Sequence, residues 1–135
     1  MSMRVFLDAN VLLSASNEDS AIHELLAWLR QSHVVVTSDL AIEEARRNLA
    51  LKRPAWQPAF DVLVRGVEVV PSIVFALPVE LQDKDVPLLC AAIRGRCERF
   101  VTGDRRDFGH VMGKTIQGVK IVSPLDLAKE LAATE

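Results

Sequence analysis

The sequence predicts an α/β protein built on a parallel sheet with helices over both faces, and three observations agree on it. Five short apolar runs rich in β-branched residues recur at Arg4 to Leu7, Val34 to Thr37, Val67 to Val70, Arg99 to Thr102 and Val119 to Val122. The segments between them carry helical spacing, and strands alternating with helices are the pattern of a covered parallel sheet. At 135 residues, half of them hydrophobic, the chain is long enough to bury one core, so a single domain over 1–135 is expected.

The elements follow in order. After the first run, Ile22, Leu25, Leu26 and Leu29 keep the i, i+3, i+4, i+7 spacing of an amphipathic helix. Ser38, closing the second run, can cap a helix containing Leu40 to Leu51. Pro54 and Pro58 divide that helix from the next, where Phe60, Leu63 and Val64 repeat the spacing and Val67 passes into the third strand. Pro71 and Pro78 leave Ser72 to Val79 without an assignment. Asp85 opens a helix whose buried stripe is Val86, Leu89, Cys90 and Ile93. Ser123-Pro124-Leu125-Asp126 supplies a cap, a proline at the first helical position and an acid in the first turn of a helix running toward Leu131. No repeat, low-complexity tract or linker interrupts this order.

Composition narrows the function classes. The formal net charge is −2 and the pI about 5.9, so the chain as a whole is no nucleic-acid-binding polycation; any such partner must be held by a local basic patch or through metal. Cys90 and Cys97 stand seven apart, two turns along one face if both are helical, where they read as core-lining thiols. There is no disulfide framework or CxxC pair, no basic and apolar leader ahead of the first strand, and no apolar run near the roughly 20 residues of a membrane span. A cytoplasmic location is the expectation. No dinucleotide fingerprint, P-loop or serine-hydrolase elbow is present, and His23, His33 and His110 lack ligand spacing. Trp28 and Trp56 read as packing residues.

Four acidic positions carry the chemistry. In an open parallel sheet, ligands bind beyond the carboxyl ends of the strands, beside the point where strand order reverses. Asp8 directly follows the first apolar run, and Asp104 follows the fourth in Thr102-Gly103-Asp104. Glu44 borders the buried stripe of its helix more closely than Glu43, and Asp85 rather than Asp83 begins the next periodic helix. Two carboxylates about 4 Å apart repel by roughly 4 kcal/mol at an effective dielectric of 20, so a cluster of them must protonate or hold a cation. Oxygen-only ligands point to Mg2+ or Mn2+, and such an ion is equipped for phosphodiester hydrolysis. Singly, each acid has a plainer role: Asp8, Asp85 and Asp104 as caps or turn residues, Glu44 as a solvated helix residue. Likewise Arg46-Arg47, Lys52-Arg53 and Arg105-Arg106 are ordinary exposed charge unless the fold brings them to the acids.

The blocks Leu7-Asp8-Ala9-Asn10-Val11-Leu12-Leu13, Thr37-Ser38 with Glu44, Asp85 with Leu88-Leu89-Cys90-Ala91-Ala92, and Val101-Thr102-Gly103-Asp104-Arg105-Arg106-Asp107-Phe108 span nearly the whole chain. In them the sequence resembles the PIN-domain family of metal-dependent ribonucleases, which includes toxins of bacterial toxin–antitoxin pairs. The resemblance implies a three-layer α/β/α fold with a four- to five-stranded parallel sheet. It implies that Asp8, Glu44, Asp85 and Asp104 are the catalytic, metal-holding acids, with Asn10, Ser38, Thr102 and Asp107 in support and Arg105 and Arg106 against the RNA backbone. It also implies a homodimer and, where a member is a toxin, an antitoxin that blocks the site.

Two rivals remain. A non-catalytic member of the same fold would bind RNA or protein without cutting. A phosphoacceptor receiver domain would use Asp8, Thr102 and Lys120, but it needs an Asp at the end of its central strand, and Val67-Glu68-Val69-Val70-Pro71-Ser72 ends without one.

Overall fold

The computed structural model describes residues 2–134, and positions 1 and 135 of the expected single domain lie outside it. All five expected strands are present: β1 (Arg4–Leu7), β2 (Val34–Ser38), β3 (Glu68–Val70), β4 (Arg99–Val101) and β6 (Val119–Val122). They run parallel in the order β3-β2-β1-β4-β6. A sixth, β5 (Thr115–Ile116), joins the outer edge antiparallel to β6. Only Gln117 and Gly118 separate the two, both with positive φ (48° and 88°), the backbone a tight primed hairpin demands.

Seven α-helices pack around the sheet among the described residues: α1 (Ala9–Ala15), α2 (Ala21–Leu29), α3 (Asp39–Lys52), α4 (Gln57–Arg65), α5 (Val86–Arg94), α6 (Arg105–Phe108) and α7 (Pro124–Ala133). The result is a three-layer α/β/α fold. None of these helices is long and apolar enough to cross a membrane. The expected caps hold α3 and α7, where the Ser38 and Ser123 hydroxyls accept from Ala41 N and Asp126 N at 3.2 and 3.1 Å. Ser20 caps α2 in the same way.

Two local expectations need correction. Pro58 does not separate helices; it lies in the first turn of α4, where its missing N–H costs nothing. Only Pro54, in a short 3-10 turn (Pro54–Trp56), marks the break. Cys97 is not on the helix of Cys90, because α5 ends at Gly95 and Arg96 turns the chain with φ at 56°. Both thiols are nonetheless buried and free, and burial pushes the Cys97 thiol up to about 12, which leaves it inert.

The core is anchored by β1 and β4. Phe6 and Phe100 stack across them with ring centroids 5.2 Å apart, and Phe108 from α6 closes on Phe100 at 5.1 Å. All three rings are fully buried. This stack fixes the two strands whose carboxyl ends carry Asp8 and Thr102, and ties down the short helix that follows Asp104. Phe100→Ala should therefore destabilise the protein by about 3–5 kcal/mol, measured by urea denaturation. A loss under about 1 kcal/mol would mean the stack is not what holds these strands.

Candidate metal centre

Strand order reverses between β1 and β4: the chain leaves β1 for β2 on one side, and later passes from β4 to β6 on the other. The crevice beyond the carboxyl ends at such a switch point is where open parallel sheets bind ligands. Asp8 is the first residue past β1, and its N–H donates to Val101 O at 3.0 Å, which locks it beside the end of β4. Thr102 follows β4 with its hydroxyl donating to Asp8 Oδ2 at 2.7 Å. Asn10 Nδ2 donates to the same oxygen at 2.8 Å, while Asn10 Oδ1 accepts from Gly103 N at 2.8 Å. An added Cβ at Gly103 would stand 3.3 Å from that Asn10 oxygen, so the close approach favours glycine.

Asp8 is thus both a cap and a buried charge. Its Oδ1 accepts from Ala9 N at 2.8 Å at the start of α1, yet its residue is only 2% exposed. Loss of hydration raises its pKa to about 6; the Thr102, Ala9 and Asn10 hydrogen bonds oppose the rise and repulsion from Glu44 adds to it.

Asp85 stands at the cap position of α5, but its side chain makes no capping hydrogen bond. It is 3% exposed, and its Oδ2 is the one buried side-chain oxygen or nitrogen without a partner among the described residues. Burial raises its pKa to about 7, against the pull of Lys84 and with added repulsion from Asp8 and Asp107. A buried carboxylate with an orphaned oxygen is costly unless something outside the chain pairs with it. Asp83, the other candidate, is exposed.

Glu44 is half-buried on α3 and lines a cleft of about 410 Å3 with Asn10, Asn48, Lys84 and Asp104. Glu43 is exposed and pairs with Arg47 at 3.1 Å. Asp104 is half-buried, and one of its oxygens caps α6 through Asp107 N at 3.0 Å, so its plainer role is filled as well. Asp107 meets Lys84 Nζ at 3.3 Å. Partial burial works against ionisation of Asp107, but Lys84 and Asp85 outweigh it and hold the group below its ordinary value. Ser38 is fully buried and its hydroxyl serves the cap of α3. Arg105 and Arg106 are exposed on α6 and are not among the residues lining the cleft.

Two residues of the cleft, Lys84 and Asn48, escaped the sequence reading. Lys84 sits between the acids: burial lowers its pKa, but Asp85, Asp107 and Glu44 more than compensate and raise it. Its position between Asp83 and Asp85 was the available signal. Asn48 and Lys52 extend the Glu44 stripe at i+4 and i+8 along α3, a spacing that puts all three on one face. As they stand, no three carboxylate, imidazole or thiol groups among the described residues lie close enough together to hold an ion. The receiver alternative also meets an obstacle, since β3 lies at the edge of this sheet, not inside it as the receiver order 2-1-3-4-5 requires.

No protein-family model matches the chain, and neither does any curated protein. Among solved structures it is similar to VapBC2 from Rickettsia felis bound to a DNA fragment from their promoter, with a TM-score of 0.65 over 90% of this chain and 98% of that chain. Identity is 15%, so the likeness is one of fold, a PIN-like α/β/α arrangement.

The raised carboxyls fix a sign. An acid whose pKa is higher folded than unfolded favours the fold at low pH and loses that contribution as pH rises through the folded value. With ordinary values of 3.8 and folded values of about 6 and about 7, the contribution of Asp8 and Asp85 should decline from pH 4 toward pH 7. Thermal melts of metal-free protein should fall over this range, less steeply for Asp8→Asn, and added magnesium should flatten the wild-type curve. If Asp8 were only a cap, the variant would instead lose about 1 kcal/mol at every pH, with an unchanged response to metal.

Proposed function

We propose that this protein is a magnesium- or manganese-dependent ribonuclease that hydrolyses RNA phosphodiester bonds, with Asp8, Glu44, Asp85 and Asp104 as its acidic centre. The observation that carries the reading is the orphaned, buried Asp85 Oδ2 beside the buried Asp8 carboxylate at the switch point of the sheet. Every candidate donor there is an oxygen, which suits a hard divalent ion, and the spread of the acids in the absence of a cation is what mutual repulsion favours. A bound ion of this kind supplies an activated water and neutralises the charge that builds on a phosphodiester.

The chain's own residues do the positioning. Thr102 and Asn10 both hold Asp8 Oδ2, and Ala9 N takes one lone-pair site of Oδ1, leaving the other site of that oxygen for a cation. The Asp104 N–H donates to Thr102 Oγ1 at 3.1 Å, so the same hydroxyl ties the β4 loop to Asp8. Such prearranged geometry is what in-line displacement at phosphorus requires of a protein. Lys84, paired with Asp107 at 3.3 Å, stands on the wall of the cleft and offsets part of the acidic charge.

The family resemblance and the likeness to VapBC2 support a toxin-type enzyme whose antitoxin partner covers the cleft. The homodimer and the cytoplasmic location belong to the same proposal. A binding-only domain of this fold is the second reading, favoured by the distance between the acids and by Lys84 standing among them.

Cleavage of mixed RNA should require magnesium or manganese, stop on chelation, and fall by at least about 100-fold in Asp8→Asn and in Asp104→Asn, the scale of losing preorganised charge stabilisation. Glu44→Gln should impair it far more than Glu43→Gln. Undiminished cleavage by either Asp variant removes that residue from the centre, and RNA that is bound without being shortened selects the binding-only reading.

A further inference from the structure

We propose that the acidic cleft continues into a second chamber that holds a single strand of RNA, with Lys52 and Arg53 on its phosphates and Trp56 against a base. The identity of the polymer rests on the ribonuclease reading. The cleft of about 410 Å3 over Glu44 and Asp104 and a wider cavity of about 730 Å3 share Leu13, Ser14, Ile22 and Lys52 as common walls. The two are therefore contiguous, and the wider one ends at Arg53 and Trp56.

Helix geometry gives the direction of the path. Glu44, Asn48 and Lys52 line α3 in successive turns, so Lys52 stands about 12 Å along the axis from Glu44. Charge gives the polarity of the occupant. The nearby cations Arg46, Arg47 and Lys84 are each paired with a carboxylate, Asp61, Glu43 and Asp107. Lys52 and Arg53 have no carboxylate partner among the described residues. Two uncompensated cations beside an acidic centre in a chain of net charge −2 form the kind of local patch a polyanion needs.

The floor suits bases. Leu13, Ile22 and Trp56 supply apolar surface, and Trp56 is half-buried against the core, which holds its ring in place. The Arg53 guanidinium lies over the Trp56 ring, 5.4 Å from its centroid, so a stacking base takes its place and frees the guanidinium for a phosphate. That pairing is characteristic of single-strand binding, where bases stack on aromatic rings and phosphates meet basic side chains. Bases stacked inside a duplex cannot reach such a floor.

The test uses Trp28→Phe protein, in which Trp56 is the remaining tryptophan of the two, without added metal. A single-stranded 2′-O-methyl oligonucleotide, which resists cleavage, should quench the Trp56 emission saturably. Replacing Lys52 and Arg53 by glutamine in that background should weaken binding at least about tenfold and lower the slope of log affinity against log salt by about 0.7 for each lost phosphate contact. In cleavage assays, Trp56→Leu should raise KM with little change in kcat. No quenching, equal affinity for a duplex, or quenching only by a protein partner would overturn the chamber as an RNA site. Metal-dependent cleavage indifferent to all three substitutions overturns the chamber alone; absent cleavage with intact quenching overturns the ribonuclease reading and supports the chamber.

Discussion

Two carboxylates withdrawn from water beside the carboxyl ends of β1 and β4 set the terms for everything around them. Asp8 and Asp85 are each almost fully buried, and among the described residues neither meets a cation at ion-pair distance. A carboxylate in that position must be solvated by the protein, take a proton, or be neutralised from outside. Asp8 is solvated in part, by a threonine hydroxyl, an asparagine amide and a backbone N–H. Asp85 is solvated less: it shares a hydrogen bond with Asp107, but its Oδ2 has no partner among the described residues.

The fold exists in a form that can bear this cost. Phe6, Phe100 and Phe108 bind β1, β4 and α6 into one block, so the loops that carry Asp8, Thr102 and Asp104 have little freedom to splay apart. Glu44 and Lys84 reach the same crevice from α3 and from the segment before α5, which places charge of both signs around the buried pair. A site of this kind is stabilised by its ligand: an ion that binds the folded state alone raises stability with the logarithm of its concentration once that exceeds Kd. Stability and the proposed chemistry are thereby linked through the same two groups.

Much of this was legible in the chain. The five parallel strands follow from β-branched runs, and α3 and α7 from their serine caps, because those signals are local. Glu44 was separable from Glu43 by its distance from the buried stripe at Ala41 and Ala45, and the half-buried position agrees with that geometry. The illegible parts are those decided by tertiary contact. The β5 strand is two residues long and turns on Gln117-Gly118, too short for periodicity to register. Cys97 lost its helical register because the chain turned at Gly95 and Arg96. Lys52 reads as ordinary exposed charge and Lys84 carries no signal of its own, since only the folded crevice shows which lysines face the acids. For Asp104 the plain capping role and the proposed ligand role coexist in one side chain, a combination no spacing rule separates.

Carbon-13 NMR titration of the side-chain carboxyls of Asp8 and Asp85 in metal-free protein, repeated with saturating magnesium, tests the central claim most directly. Midpoints are expected near the raised values of about 6 and about 7 without the ion, with a fall of both below the ordinary 3.8 once it is bound. Midpoints near 3.8 in both conditions, with no response to magnesium, would contradict it: the pair would then be ordinary structural acids, and the crevice would have no call for a cation.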